Sequence, residues 1–329
     1  MTDPLDDAAR VLTDAGDVTL VCHVNPDADA LGSMLGLANY LAGRGVKVAA
    51  AVPNPPGDLP RWAEVLPGLK HLVPPGEVPA KPKILVTLDA ADIRRLDGLG
   101  HLVDRSETVV CIDHHRTNPG FGTVNLIDAN ASATAEIVFR LIERMGGQLD
   151  ADVAACLYAG LVSDTGRFQY ESASPEVLRI AARLRELPFD HVRLALALYA
   201  DASVPYLRLL GMILGRVRHV PEANLVWVSV TRADLEAAGV PIQETDELID
   251  ILRTAREADV AAVLKEQRDG KFKVSLRSRG DTDVAAIAEA FDGGGHRLAA
   301  GYTASASLDD SVRVLVDALV AASPATAAP

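Results

Sequence analysis

The sequence predicts an α/β protein: a mostly parallel sheet in a first domain, a helical connector, and a smaller second α/β domain. Two patterns carry this. Four short apolar runs, Val18–Val24, Val46–Val52, Ile84–Leu88 and Val109–Ile112, are separated by stretches with helical spacing, and parallel strands need such crossovers to be covered on both faces. After a long helical stretch, strand patterns resume and include a hairpin signal.

In chain order, a helix is expected over Pro4–Ala15, then the buried strand Val18–Val24 and a short loop, Asn25–Asp29. Small and apolar residues recur at helical spacing from Ala30 to Ala42, and Val46–Val52 reads as a second strand before the turn-rich segment 53–57. Ile84–Leu88 and Val109–Ile112 complete the first series. From Ser132 to about Gly215 the pattern is helical, with breaks at Gly146-Gly147, Ser172–Pro175 and Pro188. Leu225–Val230 reads as a strand, and Val260–Arg268 and Lys271–Arg277 flank Asp269-Gly270, a strong short-range hairpin signal. The tail Ser323–Pro329 is rich in Ala and Pro and is expected to fray. The domains are thus expected at 1–190 and 216–329, joined by a connector over 191–215, where a hinge is expected.

At 329 residues, 49% of them hydrophobic and 23% charged, the chain has material for two ordinary cores. The net charge is −13 and aromatics make up 4%. A protein that holds long nucleic acid needs an extended basic surface, with aromatic platforms for single strands, so any nucleic-acid substrate should be short. Cys22, Cys111 and Cys156 lie in apolar stretches without paired spacing, which suggests buried thiols rather than a zinc site or disulfides. The N-terminus lacks a basic region followed by an apolar run, and no stretch approaches about 18 uninterrupted apolar residues. A cytoplasmic protein without membrane contact is expected.

Four constellations carry chemistry. His23-Val24-Asn25-Pro26-Asp27-Ala28-Asp29 lies where a strand gives way to a helix, the place where open α/β sheets build sites. Two carboxylates so close together repel each other unless a cation neutralises them, although an acidic turn explains the same residues. Asp89 follows a strand and would serve equally as a helix N-cap. Asp113-His114-His115 follows another strand, and adjacent histidines beside an aspartate are hard to rationalise as packing. Asp164, in Ser163-Asp164-Thr165-Gly166, ends an apolar helix that starts near Asp152, and could be a plain C-terminal turn. All four fall at element ends that would face one crevice. Together they offer a mixed nitrogen and oxygen set that suits Mn²⁺ or a similar divalent ion, and a pair of ions about 3.5–4 Å apart would use them all.

In the second domain, His296 follows Gly293-Gly294-Gly295, where three glycines permit close backbone approach to a ligand or simply form a flexible turn. Arg277-Ser278-Arg279 ends the hairpin strand and offers cations and a hydroxyl to a phosphate, though strand-end charges are often merely solvated. His71, His101, His191 and His219 have no carboxylate neighbours at ligand spacing and read as surface or structural residues.

This ordered set resembles the DHH/DHHA1 phosphoesterases, whose name describes the Asp113-His114-His115 motif. His23 to Asp29 resembles the first motif, Asp89 the second, Asp113–His115 the third and Ser163-Asp164-Thr165-Gly166 the fourth, while Gly293-Gly294-Gly295-His296 resembles the DHHA1 signature. The resemblance spans the chain and is to the short stand-alone branch, the oligoribonuclease/pAp phosphatases. It implies two divalent ions, Mn²⁺ first and Mg²⁺ or Co²⁺ as alternatives, one on His23, Asp27 and Asp89 and the other on Asp29, Asp89, His114 and Asp164. It further implies that His115 contacts the substrate phosphate, that Asp113 orients the histidine pair, and that Arg277, Ser278, Gly294, Gly295 and His296 hold the distal nucleotide. The implied substrates are short oligoribonucleotides, pAp, and related dinucleotides such as pApA or c-di-AMP; a homodimer is a family-level expectation. The alternatives are a family II-like inorganic pyrophosphatase, against which the GGGH motif argues, and a non-catalytic nucleotide sensor, against which the intact ligand set argues.

Overall fold

The computed structural model describes residues 3–54 and 59–322; the tail 323–329 and most of the turn segment 53–57 lie outside them. The chain divides into two compact units, Met1–Asp201 and Ala202–Pro329.

The first unit runs α1 (Pro4–Thr13), β1 (Asp17–Cys22), α2 (Ala28–Gly43), β2 (Lys47–Ala51), β3 (Ile84–Leu88), β4 (Thr108–Asp113), β5 (Val124–Ile127), α3 (Thr134–Arg144), α4 (Ala151–Asp164), α5 (Pro175–Arg185) and α6 (His191–Tyr199). Its five-stranded sheet is wholly parallel in the order β2-β1-β3-β4-β5. The mostly parallel α/β sheet expected from the apolar runs is therefore present. The chain leaves β1 to one side for β2 and returns to the other side for β3, so the switch point falls between β1 and β3. Cys22 pairs with Leu88 and Leu88 with Ile112. This register puts the residues that follow β1, β3 and β4 at one level of the sheet.

The helical layer on one face forms the larger core. α2 is buried along nearly its whole length, from Ala28 to Leu41, because it is sandwiched between the sheet, α3 and α4. The other face differs from expectation. The connections after β2 and β3 are 3-10 turns rather than α-helices, and Leu96, Leu99 and Leu102 of the stretch Ile93–Leu102 cover Val21, Leu85 and Val109. Before β3 the reason is local: Pro60, Pro67, Pro74, Pro75, Pro79 and Pro82 remove the amide donors a helix needs. Cys22, Cys111 and Cys156 are buried and unbridged, as their apolar surroundings suggest.

The second unit comprises α7 (Val204–Leu214), β6 (Arg218–Val220), β7 (Leu225–Val230), α8 (Arg232–Ala238), α9 (Leu248–Leu252), β8 (Val260–Glu266), β9 (Phe272–Ser278), α10 (Val284–Glu289), β10 (Gly294–His296), β11 (Ala299–Ala304) and α11 (Leu308–Ala322). Its sheet runs β10-β11-β9-β8-β7-β6, with β7 and β8 parallel and the other pairs antiparallel. The hairpin expected at Asp269-Gly270 joins β8 and β9. Alternation along the strands feeds two cores: α7, α8 and α9 pack on one face, α10 and α11 on the other. Among the described residues no single helix is long and apolar enough to cross a membrane.

Candidate metal centre

Three neighbouring strands deliver side chains to one point. His23 follows β1, Asp89 follows β3, Asp113 ends β4, and His114 and His115 come directly after it. Asp27 and Asp29 lie where α2 begins, and Asp164 is the last residue of α4. The structure therefore brings together His23, Asp27, Asp29, Asp89, Asp113, His114, His115 and Asp164, which are far apart in sequence.

Asp89 is the hub. Its Oδ2 lies 3.4 Å from His23 Nε2, while its Oδ1 lies 3.5 Å from His114 Nε2 and 3.6 Å from His115 Nδ1. Around it, donor atoms of His23, Asp27 and Asp89 fall within 4.8 Å of one another, and so do those of Asp29, Asp89 and His114. Asp164 joins the second group, with Oδ2 3.2 Å from His114 Nε2. Asp27 is the exposed member; Asp29, Asp89 and both histidines of these groups are buried.

Each side chain is aimed by its neighbours. The Nδ1 of His23 lies 2.8 Å from Val24 O, an arrangement that points Nε2 at Asp27 and Asp89. The Nδ1 of His114 faces Ala131 O at 3.3 Å, again directing Nε2 to the carboxylates. Asp27 caps α2 by accepting from the amides of Asp29 and Ala30. Asp113, fully buried, accepts from Nδ1 of His115 at 2.8 Å and from Asn118 Nδ2 at 2.7 Å. It thus orients His115, whereas His114 is oriented by Ala131.

The electrostatics describe a cluster short of positive charge. Burial alone would lower His23 and His114, but the carboxylates of Asp27 and Asp89 hold His23 up at about 10, and those of Asp164, Asp89 and Asp29 hold His114 up at about 11. Burial and neighbouring carboxylates push Asp164 up to about 6 and raise Asp29. Asp89 goes the other way: burial would raise it, but its three histidine neighbours hold it well below the usual carboxylate range. Protons gather on this set because four carboxylates share one small volume, and a divalent cation relieves the same repulsion. Imidazole nitrogens and carboxylate oxygens at these separations fit such ions of the Mn²⁺ or Mg²⁺ type.

Thr134, Asn54 and Asn118, which the motifs do not reveal, are among the described residues that support the cluster. Thr134, at the start of α3, donates from its hydroxyl to Asp89 Oδ1 at 2.9 Å and from its amide to Asp29 Oδ2 at 2.6 Å. Asn54, just past β2, accepts from the Asn25 amide at 2.7 Å and donates back to the Asn25 side chain at 2.8 Å, fixing a residue with φ of 52° between His23 and Asp27. Asn118 holds Asp113. Neither Thr134 nor Asn54 leaves a local trace in the sequence: that Ala133 is an N-cap with no capping side chain is seen only once α3 is placed.

In the second unit, β10 is an ordered strand rather than a flexible turn. His296 pairs with Ala299 and Ala299 with Arg277, which sets His296 and Arg277 on one face of the sheet. Ser278 departs from the expected phosphate contact: its hydroxyl is buried, donates to Asp259 at 3.1 Å and accepts from Gly280 N at 3.0 Å. The buried Asp259 accepts from that hydroxyl and from the amides of Arg279, Asp281 and Thr282, and this engagement takes the hydroxyl out of reach of a ligand.

The DHH family N-terminal domain matches residues 17–161 and the DHHA1 domain matches residues 228–322. The chain belongs to the DHH/DHHA1 phosphoesterase family. It is 35% identical over 288 residues to the bifunctional oligoribonuclease and PAP phosphatase NrnA of Thermus thermophilus, an overlap of 88% of this chain and 84% of that one. The Bacillus subtilis protein of the same description is 28% identical over 302 residues, 90% of this chain and 91% of its own. Among solved structures, an exopolyphosphatase-related protein from Bacteroides fragilis superposes with a TM-score of 0.88 at 27% identity, over 96% of this chain and 95% of that one.

Proposed function

We propose that the chain is a divalent-metal-dependent phosphoesterase that hydrolyses very short oligoribonucleotides to 5′-mononucleotides and converts pAp to AMP. The observation that carries this reading is the position of Asp89, one carboxylate turned by its two oxygens to two groups of ligands. One ion belongs on His23, Asp27 and Asp89 and the other on Asp29, Asp89, His114 and Asp164, with Mn²⁺ favoured by the mixed donors. Such a pair, when bound, supplies an activated water and neutralises charge at the phosphoryl oxygens.

The rest falls to the chain's own groups. His115 hands Nδ1 to Asp113, so Nε2 is the atom that would donate to a phosphate oxygen. Burial lowers its basicity, but Asp113 and Asp89 outweigh burial and keep the imidazole disposed to carry a proton. Arg277, Gly294, Gly295 and His296 are the proposed contacts for the nucleotide portion. The similarity to proteins described as oligoribonuclease and PAP phosphatase supports the substrate class, and the net charge of −13 supports short over long nucleic acid.

A product time course with purified protein and Mn²⁺ tests this, using pAp, pApA, c-di-AMP, a short oligoribonucleotide, a long RNA and pyrophosphate. Mononucleotides from the short RNA and AMP from pAp are expected, with long RNA and pyrophosphate spared; Asp89→Ala should abolish both activities and leave circular dichroism unchanged. A preference for pyrophosphate, or stoichiometric binding of pApA without turnover, would overturn the assignment.

A further inference from the structure

The α3 N-terminus raises a specific question. Helices of this kind start with Ser, Thr, Asp or Asn at the N-cap, which satisfies one of the free amides. Here the N-cap is Ala133, which offers no side-chain bond. The cap comes instead from Asp29, more than a hundred residues earlier: its Oδ2 accepts from the Thr134 amide at 2.6 Å and its Oδ1 from the Ala135 amide at 2.9 Å. Ser33, one turn along α2, adds a bond to Oδ1 at 3.2 Å. Asp29 is fully buried, so both of its oxygens are fixed in direction by the helix it caps.

Thr134 then makes a second link. Its hydroxyl donates to Asp89 Oδ1 at 2.9 Å, the oxygen that faces His114, while Oδ2 is left to face His23. Asp89 itself has φ of 56°, a left-handed conformation held from the backbone by the hydrogen bond that its amide donates to Ile112 O at 3.0 Å. The backbone bond fixes where Asp89 sits; it does not fix the rotation of the carboxylate about its last bond. Among the described residues that contact the Asp89 carboxylate, Thr134 is one whose bond an ion would leave in place, because the histidine nitrogens are themselves assigned to ion or substrate.

We propose that Thr134 is a positioning residue for catalysis: its hydroxyl fixes the rotation of the Asp89 carboxylate so that one oxygen is turned to each ion, while its amide holds Asp29 for the second ion. The inference rests on the two-ion reading of the site. Partners of this kind, one bond removed from the metal, change metal affinity or activity by about 10- to 100-fold when lost.

The test compares Thr134→Val, which keeps the shape and the amide but removes the hydroxyl, with Thr134→Ser, which keeps the hydroxyl, and with Thr134→Ala, which removes it without adding bulk. In each full-length variant, kcat and KM on pAp are measured with Mn²⁺, together with ion stoichiometry by calorimetry and the magnetic coupling of the Mn²⁺ pair by electron paramagnetic resonance. Wild-type protein is expected to bind two coupled ions. Thr134→Val and Thr134→Ala should lose kcat by about 10- to 100-fold with little change in KM and with weakened coupling, and Thr134→Ser should stay within a few-fold of wild type. If Val does not fold, the Ala and Ser pair decides alone. Wild-type kcat and coupling in the hydroxyl-free variants, or a Ser variant as poor as Ala, would overturn the role of Thr134 while leaving the two-ion site standing. A wild-type protein that binds a single ion would overturn the two-ion reading and this inference with it.

Discussion

Asp89 holds a backbone conformation that non-glycine residues adopt at a cost of about 1–3 kcal/mol, with φ of 56°. Nothing local requires it; what it achieves is a carboxylate placed among three histidines. The glycines of the second unit allow a similar test of what a residue is for. A Cβ on Gly293 would lie 2.3 Å from Gly301 O, and one on Gly295 2.5 Å from Ala299 O with φ of 145°, so packing of the fold explains both. A Cβ on Gly294 meets nothing within 4 Å. Its missing side chain has no structural reason, which fits a surface that a ligand approaches. Gly294→Ala should therefore leave the thermal midpoint unchanged and raise KM for pAp at least about fivefold, the equivalent of a 1 kcal/mol clash. Gly293→Ala should destabilise the protein by about 1–3 kcal/mol. Calorimetry and steady-state kinetics on the two variants decide the matter, and an unchanged KM in Gly294→Ala would remove this glycine from the substrate contacts. Such distinctions were not legible in the sequence, where Gly293-Gly294-Gly295 reads as three equivalent glycines. The charged residues were legible because chemistry restricts them to a few types. Thr134 and Asn54 were not, since a hydroxyl or amide becomes a support only through partners distant in sequence.

At the scale of elements, the strands with long apolar runs announced themselves, Ile84–Leu88 without an error at either end. The short ones did not: β5 offers Val-Asn-Leu-Ile and β10 Gly-Gly-His, too few residues for a period to show, and both exist because a neighbouring strand supplies hydrogen bonds. The helix α2 was foreseen from Ala30, two residues late, because Asp27 acts at once as N-cap and as candidate ligand. Where α2 meets α4, small residues let the backbones approach. A Cβ on Gly160 of α4 would come within 2.6 Å of Asp29 Oδ1 and 2.8 Å of Ala135 Cβ, so this glycine makes room for the carboxylate and for α3 together. Gly160→Ala is expected to destabilise the first unit by about 1–3 kcal/mol and to weaken Mn²⁺ binding. Gly43, at the exposed end of α2, has nothing within 4 Å of its added Cβ, and Gly43→Ala should be neutral or stabilise by up to about 1 kcal/mol. Urea unfolding read alongside metal titration separates the two effects; equal stability and equal Mn²⁺ affinity in Gly160→Ala and wild type would show that α2 and α4 have slack at the site.

For the whole molecule, the consequence of this architecture is that stability and function draw on the same charges. Asp27, Asp29, Asp89 and Asp164 converge in one unit, and His23 and His114, whose basicity these carboxylates raise, only partly offset them. An ion that binds the folded centre and not the unfolded chain stabilises by mass action, by about 2.7 kcal/mol for one site at a hundredfold excess over Kd. For a unit of about 200 residues that amounts to roughly 5–10 °C in Tm. The second unit has its own sheet and its own two cores and holds none of these four aspartates. Differential scanning calorimetry of the full chain with Mn²⁺ and then with excess EDTA should accordingly move the part of the transition that belongs to the first unit, with hydrogen exchange in β1, β3, β4 and the start of α3 slowing in step. Asp89→Ala, lacking the shared carboxylate, should respond to Mn²⁺ by less than half as much. A midpoint indifferent to Mn²⁺, or an Asp89→Ala protein that gains as much as wild type, would mean that the clustered carboxylates are neutralised by the histidine protons alone and that the centre was not built to hold a cation.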